Sequence, residues 1–161
     1  MKQVAGFVDE DAISRNTEWL MSRRKNDGSG QFHVNPKALD SFGRASQDIT
    51  DFYIVWSLTS FKGYDYDLLK EEFDHMQEVC EKTNDPYLIS LAAGSYYRVG
   101  KMHEAKQLAG RLASMQSKSG EITGAESSIT NSRGENLIIE TTSLAATAWL
   151  DIDPSGFGEN I

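Results

Sequence analysis

Asp48-Ile-Thr-Asp-Phe-Tyr-Ile-Val-Trp-Ser-Leu58 and Glu140-Thr-Thr-Ser-Leu-Ala-Ala-Thr-Ala-Trp-Leu150 share one layout: an acid, then a run from Thr to a Leu eight positions later that passes through a Trp. Charge switches on and off around them. Asp11–Arg24 carries five charges in 14 residues, and Thr50–Phe61 carries one in 12. Tyr66–Lys82 carries eight in 17, Pro86–Val99 one in 14, Lys101–Met115 four in 15 and Ile138–Leu150 one in 13. A helix that is apolar nearly all round must be covered all round, whereas a charged amphipathic helix turns one side to water. The chain therefore reads outer, inner, outer, inner, outer, inner. That order predicts an all-α fold of about six helices in three hairpins, stacked into a curved two-layer wall.

Local signals set the expected boundaries. Asp9 or Asp11 is placed to cap the first helix, with Ile13, Thr17, Leu20 and Met21 as its inward stripe. Arg23-Arg24-Lys25 is expected to answer the dipole and open carbonyls at its end, before a stop at Asn26-Asp27-Gly28. The third helix starts near Asp65, with Asp65 and Asp67 as capping acids and Leu69, Phe73, Met76 and Cys80 inward. Asp85 caps the next helix and Pro86 fills its first turn. Its inward residues are Leu88, Leu91, Ala92, Ser95 and Val99, and Gly100 ends it. Ala105, Leu108 and Leu112 face inward on the fifth. Two long loops, Ser29–Gln47 and Gln116–Asn136, are of the length that is often functional or mobile. The second has weak ribbon signals at Glu121–Thr123 and Ser128–Thr130. Residues 1–161 read as a single domain with a frayed tail at 151–161.

Composition narrows the function. A chain of 161 residues is enough to bury a core, roughly 70% of the unfolded surface at this size. Its net charge of −8 argues against nucleic acid as a partner, because phosphate binding needs a basic patch. There is no apolar run near membrane length and no signal-type segment after Met1, so no membrane partner is expected and the chain carries no address. Cys80 is the one cysteine, which excludes an internal disulfide and reads as a packing residue. No Cys-x-x-Cys, His-Glu-x-x-His or Gly-rich phosphate loop occurs, so no metal, cofactor or catalytic residue is assigned. Asp48 and Glu140 are the acids of interest. They read as caps of inner helices, with a ligand-binding role on the concave side as the alternative. His75 and His103 lie on charged helices and read as solvated.

Four pieces carry a resemblance: Trp19-Leu20 through Asp27-Gly28; Asp48 to Leu58; Asp85-Pro-Tyr-Leu-Ile-Ser-Leu-Ala-Ala on to Gly100 and Ala105; and Ser128-Ile-Thr-Asn-Ser-Arg-Gly-Glu-Asn-Leu-Ile-Ile-Glu140 on to Leu150. In this order they resemble the C-terminal half of the thioester domain of the alpha-2-macroglobulin and complement family. That domain is a closed toroid of six helical hairpins, so the resemblance implies a partial α/α toroid here, with about three of them represented. The resemblance implies a secreted, periplasmic or cell-envelope protein that traps proteases or tags surfaces. This chain would be its non-catalytic structural part, with the remainder of the toroid as partner and a homodimer as a further expectation. The family's Gly-Cys-Gly-Glu-Gln-like motif is missing, and Cys80 lacks the Gln three residues on. In some complement members a loop histidine assists acyl transfer. Here His33 lies nearer the Asp-Gly turn than that position, and Asp40 stands closer to it.

Two other classes compete. Gln116-Ser-Lys-Ser-Gly120 and Lys25-Asn-Asp-Gly28 are similar to the turns of terpene-cyclase and prenyltransferase toroids, although Asp151-Ile-Asp153-Pro154 departs from the cyclase acid motif. Tyr96, Gly100 and Ala105 match tetratricopeptide spacing without a 34-residue recurrence.

Overall fold

The computed structural model describes residues 9–33 and 45–161. These form six helices: α1 (Glu10–Met21), α2 (Gln47–Leu58), α3 (Lys70–Lys82), α4 (Pro86–Arg98), α5 (Met102–Met115) and α6 (Glu135–Ile152). The described residues contain no strand, only isolated bridges between Arg24 and Phe32 and between Gln116 and Ile122. Ile122 thus pairs with Gln116, not with the Ser128–Thr130 segment expected to complete a ribbon. Most of the Ser29–Gln47 loop, with Pro36, Asp40 and Gly43, lies outside the described residues.

The helices sort by charge only in part: α4 is covered all round and α2 has no exposed residue, whereas α6, equally poor in charge, turns a face with Ile139, Ser143, Thr147 and Leu150 to solvent. α4 is the centre: Pro86 to Tyr96 are all buried. It packs against α2 on one side and α6 on the other, while α3 covers α2 and α4 from outside and α5 covers α4 and α6. The outer helices bury one stripe each: Phe73, Met76 and Cys80 on α3, and Ala105, Leu108, Ala109 and Leu112 on α5.

Polar anchors tie these helix pairs. Arg98 of α4 donates to the Trp56 carbonyl at 2.8 Å and lies over the Trp56 ring, 4.5 Å from its centre, which closes α4 on α2. Gly94 makes room for this approach, since a Cβ there would stand 3.0 Å from the Trp56 ring nitrogen. Tyr96 donates to the Phe73 carbonyl of α3 at 3.2 Å. Arg111 of α5 reaches the carbonyls of Cys80 and Thr83 at 2.6 and 2.7 Å, capping the exposed end of α3. Trp149 of α6 donates its ring N–H to the Ala109 carbonyl of α5 at 3.0 Å.

Several expectations are corrected. The tail is docked, not frayed: α6 runs on to Ile152, Phe157 stacks on Trp149 with ring centres 6.2 Å apart, and Asn160 exchanges hydrogen bonds with Gln116 at 2.7 and 2.9 Å. Trp149, under Phe157 and bonded to α5, is fully buried, whereas Trp19 is exposed. α1 buries only Thr17 and packs on no described helix to the extent the others do. It ends at Met21, short of the basic cluster, whose side chains bridge outward instead. Arg24 forms a two-pronged ion pair with the buried Glu72 of α3, and Lys25 donates to Gln31 at 2.7 Å. The reason is a tight reversal at Asn26–Gly30, with Lys25 N–H bonded to the Gln31 carbonyl and His33 N–H to the Arg23 carbonyl. α3 begins later than expected, because Asp65 holds a turn by accepting from the Leu68 N–H before the helix starts.

Gly28 and Gly30 both take positive φ (79° and 66°), where a side chain is strained. They differ in surroundings: Gly28 faces open space, while a Cβ on Gly30 would collide with the Glu71 backbone and the His75 Cβ of α3. Gly30→Ala is therefore expected to cost about 2–4 kcal/mol, strain plus overpacking, against about 1 kcal/mol for Gly28→Ala. Urea midpoints compare the two; equal losses would mean that Gly30 does not press on α3.

Candidate functional site

Two polar clusters meet the apolar interior. The first joins α2 and α3. Ser46 caps α2 by accepting from the Ile49 N–H, so Asp48 is not the cap; it sits inside the first turn. Asp48 and Asp51, three residues apart, share one face of α2. His75 of α3 faces both, its Nε2 3.2 Å from Asp48 Oδ1 and 3.9 Å from Asp51 Oδ2. Its side chain is 15% exposed, which corrects the expectation of a solvated histidine: its helix is outer, but it points at α2.

Asp51 is almost wholly buried. One oxygen, Oδ1, accepts the Phe32 N–H at 3.0 Å and the Gln47 amide at 2.8 Å, and Gln47 also donates to the Phe32 carbonyl at 2.9 Å. Burial raises the Asp51 carboxyl above the ordinary carboxylate range, and these hydrogen bonds work against it. The other oxygen, Oδ2, is buried and unbonded, as is His75 Nε2. Among the described residues, Asp48, Asp51 and His75 form a set whose ligand-type atoms lie within 4.8 Å of one another. Sequence reasoning marked Asp48 alone. The usable signal was Asp51, the one charge in the apolar run Thr50–Phe61.

The second cluster pins the 123–134 segment onto α4 and α6. Asp85 caps α4 through the Tyr87 N–H at 2.8 Å, as expected, and its other oxygen accepts the Glu126 N–H at 3.3 Å. The Tyr87 hydroxyl donates to Glu140 at 3.2 Å and accepts the Ile129 N–H at 3.3 Å. Thr130 donates to the second Glu140 oxygen at 3.1 Å and shares hydroxyl contacts with Ser128 and Ser132. Burial, and next the Glu140 charge, hold the Tyr87 phenol above its ordinary range. Glu140 is not a cap either: α6 begins at Glu135, so it stands in the second turn and acts as an acceptor for the loop.

Structure separates the remaining candidates. His33 is exposed and its backbone bonds Arg23; His103 is exposed on α5. Cys80 is buried on α3, and burial pushes its thiol up to about 12, with Arg111 opposing. A thiol so sealed is a poor nucleophile.

Tyr87→Phe is expected to cost about 1 kcal/mol and to speed proteolysis within residues 123–134, because the Ile129 N–H loses its acceptor and Glu140 keeps only the Thr130 donor. Limited digestion checks this; unchanged cleavage would leave Tyr87 without an anchoring role. Cys80 is expected to resist iodoacetamide in the native chain at about pH 8 and to react fully in denaturant. Rapid native labelling would show that α3 opens. Compared with family models, curated proteins and solved structures, the chain finds no match.

Proposed function

We propose that the chain is a non-catalytic structural part of a thioester-type toroid in a macroglobulin-like protein, whose whole form captures proteases or tags surfaces outside the cytoplasm. The observation that carries this reading is an open-ended two-layer arrangement. Inner helix α6 leaves Ile139 (64% exposed) and Leu150 (51%) uncovered. The two are three turns apart on one face of α6, where a helical ring would seat its next hairpin. Trp19, 59% exposed on α1, supplies a second uncovered apolar side chain. The Ser128–Leu150 stretch, the most specific part of the resemblance, supports the reading because it forms one unit: a loop anchored on Glu140 and the inner helix that carries it. The sealed Cys80 supports a structural role, since the chain's sole thiol is withheld from chemistry.

The reading is tested at two levels. The chain alone is expected to have its sequence mass, take up no methylamine, and self-associate through the uncovered faces. Light scattering after size exclusion would then show a dimer, and a monomer of 17.9 kDa at high concentration would remove the open-edge reading. The whole protein is expected to take up methylamine at a Cys-Gly-Glu-Gln segment. Loss of one ammonia from the chain itself would overturn the non-catalytic role, and absence of labelling in the whole protein would remove the thioester.

A further inference from the structure

We propose that Asp48, Asp51 and His75 bind a divalent transition-metal ion of the Zn²⁺ type between α2 and α3. The inference stands on this geometry alone and is independent of the macroglobulin reading.

Three acceptor atoms from two helices converge: Asp48 Oδ1, Asp51 Oδ2 and His75 Nε2. Nε2 stands 3.2 Å from the first and 3.9 Å from the second, and the whole set lies within 4.8 Å. Ligands about 2.0–2.2 Å from zinc stand about 3.3–3.6 Å apart at tetrahedral angles, so the 3.2 Å edge from Nε2 to Asp48 already fits, while the 3.9 Å edge to Asp51 and the carboxylate edge, within 4.8 Å, close in on binding. Two of the three atoms, Asp51 Oδ2 and His75 Nε2, are buried with no hydrogen-bond partner. Leaving such atoms bare is costly, and a metal ion would satisfy both together.

The arrangement behind Asp51 is what a ligand carboxylate needs. Phe32 N–H and the Gln47 amide hold Oδ1, which aims Oδ2 at His75. The Phe52 ring meets the His75 ring edge to face, centres 6.4 Å apart, restricting the imidazole. The competing arrangement is an imidazolium between two carboxylates. It requires an Nε2–H aimed at an oxygen, yet Nε2 makes no hydrogen bond although Asp48 Oδ1 is within reach. Imidazole as a ligand favours zinc, cobalt or copper over calcium or magnesium. Asp48, 40% exposed, marks the open side, where water fills the remaining coordination.

The test uses the full chain, stripped with a chelator and titrated with ZnCl₂ by calorimetry and with CoCl₂ by visible absorption. One ion per chain is expected, with a Tm rise of about 5–10 °C at a hundredfold excess over Kd. Asp48→Asn, Asp51→Asn and His75→Gln are each expected to weaken binding tenfold or more, and His75→Gln to alter the cobalt spectrum. Asp65→Asn, at a surface turn, is expected to bind as the parent does. Circular dichroism checks each fold. If Asp51→Asn fails to fold, the variants at Asp48, which is 40% exposed, and at His75 decide. No saturable binding, equal binding by Asp48→Asn and His75→Gln, or preference for Ca²⁺ or Mg²⁺ over Zn²⁺ would overturn the proposal.

Discussion

The burial of α4 is the constraint on which the remaining structure depends. From Pro86 to Tyr96 every residue is buried, so the helix needs neighbours on every side. α2 and α6 occupy two sides, and α3 and α5 cover the outside. The small residues Ala92, Ala93, Gly94 and Ser95 permit close approach, most clearly where Gly94 meets Trp56. An apolar helix offers few side chains to fix its neighbours' register. The polar work is therefore done at its ends, by Arg98 on Trp56 and by Asp85 and Tyr87 on the 123–134 segment.

Interior polar atoms follow a second rule. Ser90 and Ser95 satisfy themselves by bonding carbonyls one turn back, at 2.7 and 2.8 Å, so they add hydroxyls to the core without leaving it unpaired. Glu72 is matched by Arg24 with both oxygens engaged. Asp51 differs: half of its carboxylate is held in place and half is bare. That asymmetry, set between an inner and an outer helix, gives the α2–α3 seam a chemical character that the α4–α5 and α5–α6 seams lack among the described residues.

The legible parts were those written in neighbouring residues. Asp85-Pro86 predicts its helix start because cap and first-turn chemistry are local, and α4 begins at Pro86. The inward stripes of α3 and α5 follow from period 3.6, and Phe73, Met76, Cys80, Ala105, Leu108 and Leu112 are all buried. Asp48 and Glu140 were misjudged as caps because an acid before an apolar run carries the same local signal as a cap. Whether the helix begins there depends on partners far along the chain. The docked tail was missed for a like reason: Phe157 and Asn160 find Trp149 and Gln116, contacts that no window around residue 155 contains.

The sequence by itself determined that α2 and α4 are covered and that α3 and α5 meet water, because hydrophobic burial follows each segment's own side chains; it did not determine that α6, equally apolar, leaves Ile139 and Leu150 exposed, which depends on what packs beside it. It determined the all-α class, the start of α4 and the inward faces of the outer helices. Only the tertiary structure decided what the charged residues do. A carboxylate's role is set by whichever donor lies within about 3 Å, and chain folding brings that donor from any distance in sequence. His75 faces Asp48 and Asp51 across a helix seam, and Glu140 receives Tyr87 from 53 residues away. Those pairings exist only once α4 has drawn its neighbours together.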